Sequence, residues 1–132
     1  MIAVDSSALV AVGAGEPDFD DYLSRLLAAS QARIANINYV ETGIILVGRG
    51  HLEDQPALDR WLARLGVTVA DNVDIASMAL QAYLTFGKGI HPARLNLADC
   101  FAYALARKLD APLLYKGDDF ALTDIRSALQ PT

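Results

Sequence analysis

Short apolar runs alternate with helical stretches along this chain, and no other feature narrows the fold as much. "MIAVD" opens the chain as a strand that ends in an acid; "ARIANI", "VTVA" and "PLLY" read as later strands. Each is a near-continuous apolar run rather than an in/out alternation, as expected for strands buried on both faces. Between them lie helical patterns. "SSALVAVGAG" stops at glycines. "EPDFDDYLSRLLAAS" has Pro17 near its start and an apolar stripe of Phe19, Tyr22, Leu23, Leu26 and Leu27. "NYVETGIILVGRG", "QPALDRWLARLG" and the long "VDIASMALQAYLTFG" follow. "GKGIHPAR" is a Gly/Pro loop, "NLADCFAYALARKL" an almost wholly apolar and therefore central helix, and "TDIRSALQPT" closes the chain. Strand and helix in alternation predict βαβ units, and hence an α/β fold whose parallel sheet is covered on both faces.

In such sheets ligands gather beyond the carboxyl ends of the strands. The acids that follow strands therefore matter most. Asp5 ends the first strand, Glu41 lies shortly after the second, Asp99 opens the central helix, and Asp118 and Asp119 follow the last strand. Singly, each has a plain structural role. Asn38-x-x-Glu41 and Asn96-x-x-Asp99 resemble helix-capping patterns, and Asp5 or Asp118 could cap the turn that follows it. Together they converge on one sheet edge, where carboxylates raise one another's pKa unless a cation neutralises them. A donor set of oxygens alone suits Mg²⁺ or Mn²⁺ rather than zinc.

Competing chemistry finds few residues. The two histidines, His51 and His91, stand in separate loop-like segments, which gives no His-based acid/base pair. The one cysteine, Cys100, excludes an internal disulfide, fits a reducing compartment and reads as packing. A Ser-His-Asp site built on Ser6 or Ser7 lacks the Gly-x-Ser-x-Gly turn. A phosphoacceptor receiver domain needs an acidic pair after the first strand, where "DSS" supplies one acid. Asp71 alone holds a strand-end position in the middle of the chain. An Asp-x-Asp phosphatase fails at Ser7. The net charge of −5 argues against a simple nucleic-acid-binding module, but not against an enzyme that reaches phosphate through cations held by its own acids. With 132 residues, 53% of them hydrophobic, the chain predicts one domain over 1–132 with a single core. No apolar run is long enough for a membrane span and no leader pattern precedes "MIAVD", so the expectation is a cytoplasmic protein with no membrane partner.

Four segments, "MIAVDSSALVA", "NYVETGIIL", "LNLADCFAYALA" and "LLYKGDDFALTDI", in this order and spacing, resemble PIN-domain ribonucleases, and most of all the VapC-type toxins of toxin–antitoxin pairs. The resemblance covers essentially the whole chain. It implies a three-layer α/β/α sandwich with a central parallel sheet, and a Mg²⁺- or Mn²⁺-dependent endoribonuclease that leaves 5′-phosphate and 3′-hydroxyl ends. A homodimer and a cognate antitoxin that blocks the site are also implied. Carried over by position, Asp5, Glu41 and Asp99 match the first three acids of the family's quartet. Ser7 matches a hydroxyl position that orders the site, and Asn96 a polar position before the third acid. The broad family pattern places the fourth acid where this chain has Gly117. The branch with "KG-x-DF" points instead to Asp119, which leaves Asp118 to cap a turn.

The substrate's phosphates need cations, and the acidic total makes the few candidates worth locating. Lys88, His91 and Arg94 lie in the loop before the Asp99 helix, and Lys116 precedes the aspartate pair. Each alone is as well read as a solvated loop charge. As a set they are the expected phosphate contacts. Arg107 and Lys108 sit near a helix end, where the helix dipole accounts for them. Trp61 reads as core. An inert PIN-fold binding protein is the alternative to the nuclease, and retention of the acid positions argues against it.

Overall fold

The first strand, β1 (Ile2–Val4), is buried on both sides, and its alternation sorts the rest of the chain. Ile2 and Val4 enter one core, with Leu9, Leu26, Leu62 and Leu114. Ala3 enters the other, with Leu95, Leu105 and Leu113. The computed structural model describes residues 1–130; the last two residues of the closing segment lie outside it. The further elements are α1 (Ser6–Gly13), α2 (Phe19–Ala28), β2 (Ala32–Ile34), α3 (Asn36–Gly48) and α4 (Gln55–Arg64). They are followed by β3 (Val67–Val69), α5 (Ala76–Phe86), α6 (Leu97–Leu109), β4 (Leu113–Leu114) and a 3₁₀ turn at Phe120–Leu122.

All strand pairs are parallel, in the order β3-β2-β1-β4. Val4 stands in register with Ile34 on one side and Leu114 on the other. From β1 the chain steps outward through β2 to β3, then returns to the opposite side of β1 for β4. The strand order therefore reverses between β1 and β4, and a crevice opens there beyond their carboxyl ends. α5 and α6 pack against each other on one face of the sheet, and α1 and α2 on the other. α3 packs against α1 and α4 and also against α6, so it joins the two helical layers at the edge where the acids collect. This is the three-layer sandwich expected from the sequence.

Several local readings shift. "ARIANI" is a strand only to Ile34, and α3 begins at Asn36 with Ala35 at its N-cap. Asn38 is therefore inside the helix, and the capping role read for Asn38-x-x-Glu41 is overturned. Leu27, counted in the α2 stripe, is 61% exposed, whereas Tyr22 and Leu26 are buried. Trp61 packs against the core, as read, and a Cβ on Gly13 would lie 2.6 Å from Leu46 Cδ1 and 3.3 Å from Trp61. That close approach requires a glycine at position 13. The closing segment, left without a structural state in the sequence, runs beside β4: Leu113 N–H donates to Arg126 O and Ala128 N–H to Leu113 O, both at 2.9 Å.

Candidate active site

Asp5 leaves β1 in an extended conformation and becomes the N-cap of α1. Its Oδ2 accepts the Ser7 N–H at 3.1 Å and the Ser7 hydroxyl at 2.5 Å. The Ser7 oxygen in turn accepts the backbone N–H of Lys116 at 2.9 Å, just past β4. The Asp5 N–H donates to Leu114 O at 2.9 Å. Two hydrogen bonds thus lock the ends of β1 and β4 together around one carboxylate. Asp5 is only 3% exposed, and its second oxygen, Oδ1, is buried without any hydrogen-bond partner. Burial pushes the Asp5 carboxyl up to about 7. The Ser7 hydrogen bonds pull against that, and the charges of Asp99 and Glu41 add to it. An orphaned buried carboxylate oxygen is costly unless something outside the chain satisfies it.

Asp99 sits in the first turn of α6 within a complete capping box. Asn96 Oδ1 accepts the Asp99 N–H at 2.9 Å, and Asp99 Oδ2 accepts the Asn96 N–H at 3.0 Å. Sequence spacing foresaw this box. One Asp99 oxygen is used for capping, which fixes the rotamer and leaves the other available. Burial raises the carboxyl to about 6, opposed by the Asn96 hydrogen bond and reinforced by the charges of Asp119 and Glu41. Glu41 reaches the same place from α3 and accepts the hydroxyl of Ser6, a buried residue that the sequence offers only as an unsupported nucleophile and not as a partner of an acid. Its position directly after Asp5, at a helix start, was the available signal.

Asp5, Glu41 and Asp99 line one cavity of about 420 Å³, with Ser6, Ser7 and Lys116 in its wall. Among the described residues no group of three or more acid, histidine or cysteine side chains forms a ready-made metal cage. A Mg²⁺-type ion keeps several waters and takes one or two carboxylates directly. The unpartnered Asp5 Oδ1, with two further carboxylates lining the same cavity, fits such an ion.

The remaining candidates divide. Gly117, at φ +102°, turns the chain out of β4 and leaves Asp118 and Asp119 exposed beyond it. Neither side chain makes a hydrogen bond among the described residues, so the turn-capping role read for Asp118 is not realised there. Asp119 precedes the 3₁₀ turn without capping it by its side chain, and its charge is the one that reaches Asp99. Lys116 is not a free cation: its Nζ lies 2.7 Å from Glu16 Oε1 and 2.9 Å from Asp18 Oδ1. Glu16 also lines the cavity and is the fourth acid of its wall, a place the sequence pattern assigns to no residue near Glu16, whereas Asp119 lies outside that wall. Lys88 and Arg94 are exposed and lie outside the cavity wall. His91 Nδ1 accepts the Ala93 N–H at 3.0 Å within its own loop. Cys100 is buried, and desolvation, followed by the Asp99 charge, pushes its thiol up to about 11, which makes it packing rather than a nucleophile.

Comparison with known proteins identifies the family of the fold. The PIN domain family model matches residues 2–125. A VapC ribonuclease of Mycobacterium bovis is 40% identical over 131 residues, covering 98% of this chain and all of the relative. The ribonuclease VapC42 of Mycobacterium tuberculosis is 43% identical over 127 residues, covering 95% of this chain and 97% of its own. Among solved structures, Mycobacterium tuberculosis VapC20, a sarcin-ricin loop cleaving toxin, superposes with a TM-score of 0.69 at 25% identity, covering 95% of this chain and 96% of its own. A chain of a toxin–antitoxin complex from Klebsiella pneumoniae shares the fold with a TM-score of 0.65 at 18% identity over 92% of this chain and 91% of its own. With its carboxylates at the β1/β4 crevice and the family matched across nearly its whole length, the chain belongs to the PIN-domain family, among the VapC ribonucleases.

Proposed function

We propose that this protein is a divalent-metal-dependent endoribonuclease, the toxin of a toxin–antitoxin pair, and that its one domain, residues 1–132, carries the whole activity. The observation that carries the reading is the buried, unpartnered Asp5 Oδ1 in a cavity shared with Asp99 and Glu41. Asp5 and Asp99 are the assigned primary ligands of Mg²⁺ or Mn²⁺, with Glu41 and Asp119 completing the surrounding charge. When bound, the cation supplies neutralisation at the phosphate and a more acidic water.

The chain's own residues do the rest. Ser7 holds Asp5 in one rotamer, the Asn96 backbone N–H holds the Asp99 carboxylate, and the Ser6 hydroxyl holds Glu41. Three carboxylates fixed in advance can orient a water for in-line attack without reorganising during the reaction. The water gives up a proton as its oxygen bonds to phosphorus and the P–O3′ bond breaks, and O3′ takes up a proton from solvent, leaving a 5′-phosphate and a 3′-hydroxyl. Lys116, and Lys88 and Arg94 from the loop before α6, are assigned to the substrate's flanking phosphates. An RNA substrate, a cognate antitoxin, a second copy of this chain as dimer mate and a cytoplasmic location complete the reading. It is supported by the VapC relatives and by the described helices, none of which is long and apolar enough to cross a membrane.

The test is cleavage of structured RNA by wild type, Asp5→Asn and Asp99→Asn, with Mg²⁺, with Mn²⁺ and with a chelator. Cleavage should need the ion and fall by at least about a hundredfold in each variant, the scale of losing a direct electrostatic contact at a reacting centre. Undiminished, chelator-resistant cleavage by either variant defeats the assignment.

A further inference from the structure

Asn38 is fully buried, on α3, and no step described so far uses it. Its Nδ2 donates to the backbone carbonyl of Ala98 at 3.0 Å, in the first turn of α6. Ala98 is the residue immediately before Asp99, and Asn38 lies one helical turn before Glu41. A single side-chain amide therefore ties the helix that carries one site carboxylate to the helix that carries another. The two carboxylates belong to different helices, and α3 is packed against α6.

Fold stability alone is a poor explanation for an amide at this position. Asn38 Oδ1 is buried with no partner, so the side chain is only half satisfied. Replacing it by an apolar residue of similar volume loses one hydrogen bond but also removes the orphaned acceptor, and the Ala98 carbonyl, being inside α6, keeps its helical partner, so the loss of stability is small. The one thing an apolar side chain cannot do is define the α3–α6 spacing through a directional bond to the Ala98 carbonyl. Mutual placement of the carboxylates is what a cation site is most sensitive to, and outer-shell partners of ligands typically govern metal affinity by ten- to hundredfold.

We propose that Asn38 is a positioning residue of the carboxylate site, clamping α3 to the first turn of α6 and so setting Glu41 against Asp99. The proposal rests on the reading of that site as a divalent-cation site. Its test uses Mn²⁺ binding, measured by calorimetry on the full chain, together with RNA cleavage and thermal unfolding. The variants are Asn38→Leu, Asn38→Ser, Thr42→Val and Asp5→Asn. Thr42 is a control from the same helix: it is equally buried and its hydroxyl donates to Asn38 O at 2.7 Å, so Thr42→Val removes a buried hydrogen bond without touching the clamp to α6.

Asn38→Leu is expected to melt within a few degrees of wild type, to bind Mn²⁺ about tenfold more weakly, and to lose kcat with little change in KM for RNA. Asn38→Ser, too short to reach Ala98, should show the same loss of Mn²⁺ affinity, while Thr42→Val binds Mn²⁺ as wild type does. Wild-type Mn²⁺ affinity in the folded Asn38 variants, beside a loss in Asp5→Asn, overturns the role of Asn38 and leaves the site standing. An equal loss of affinity in Thr42→Val overturns it as well, by making the effect one of general helix packing. No Mn²⁺ binding by wild type overturns the cation-site reading, and the proposal with it.

Discussion

Replacing Asp5 by Asn should stabilise the metal-free protein at neutral and alkaline pH while abolishing its function. The reasoning follows from the buried carboxyl. Its pKa rises from 3.8 to about 7, with burial the largest cause. Between those values the folded state binds a proton that the unfolded state has released. Stability from this group is therefore full below about pH 4, falls as pH rises through the folded-state value near 7, and is flat above it. A rise of about three pH units corresponds to about 4 kcal/mol at roughly 1.4 kcal/mol each. Asn never ionises, and its side-chain oxygen can still accept the Ser7 hydrogen bonds that cap α1.

Urea unfolding in a chelating buffer at pH 4, 6 and 8 measures the difference. The variant should match wild type at pH 4 and exceed it at pH 8 by about 2–4 kcal/mol, the lower end allowing for the partner that an amide also lacks at the Oδ1 position. The contributions of other groups largely cancel between the two proteins. Added Mg²⁺ should reverse the order at pH 8, because only wild type gains the binding free energy, about 2.7 kcal/mol at a hundred times the dissociation constant. Parallel pH profiles for the two proteins, or an equal response to Mg²⁺, would refute the account of Asp5 as an ionised, uncompensated group.

Three further outcomes follow from the same geometry. Asp119→Asn should cut RNA cleavage at least tenfold while Asp118→Asn leaves it near wild type, because the charge of Asp119 is the one that reaches Asp99; the reverse order would move the fourth acid. Asn96→Ala should lower stability by about 1 kcal/mol by removing the Oδ1 acceptor of the Asp99 N–H, and weaken Mg²⁺ binding by loosening the turn that carries Asp99, with thermal shifts measured with and without the ion as the readout. Lys116→Met should leave stability near that of wild type, since its ion pairs to Glu16 and Asp18 are solvent-screened, yet raise KM for RNA several-fold as the lysine exchanges those carboxylates for phosphate.

Asp5 and the Asn96/Asp99 box were legible in the sequence because their signals are local. A strand ending in an acid before a helix start places Asp5, and Asn-x-x-Asp places both partners of a capping box within one turn. The parallel sheet was legible for a similar reason: doubly buried strands are short apolar runs wherever they occur. Asn38 shows where such reading fails. Its spacing to Glu41 fits a cap, but Ala35 ends the strand earlier and α3 has already begun, so the amide points across to another helix instead.

What the chain determines by itself is thus the alternation of elements, the acids at their junctions and the family to which they belong. Tertiary structure alone decides which groups share a partner. It leaves Asp5 Oδ1 buried with none, gives Glu41 to Ser6, engages Lys116 with Glu16 and Asp18, and brings Asn38 to Ala98 across 60 positions of sequence. The physical reason is range. Caps and strand patterns are set by neighbours a few residues apart, whereas desolvation and long-range hydrogen bonding exist only once the sheet has closed and side chains such as Asp5 and Asn38 have been buried.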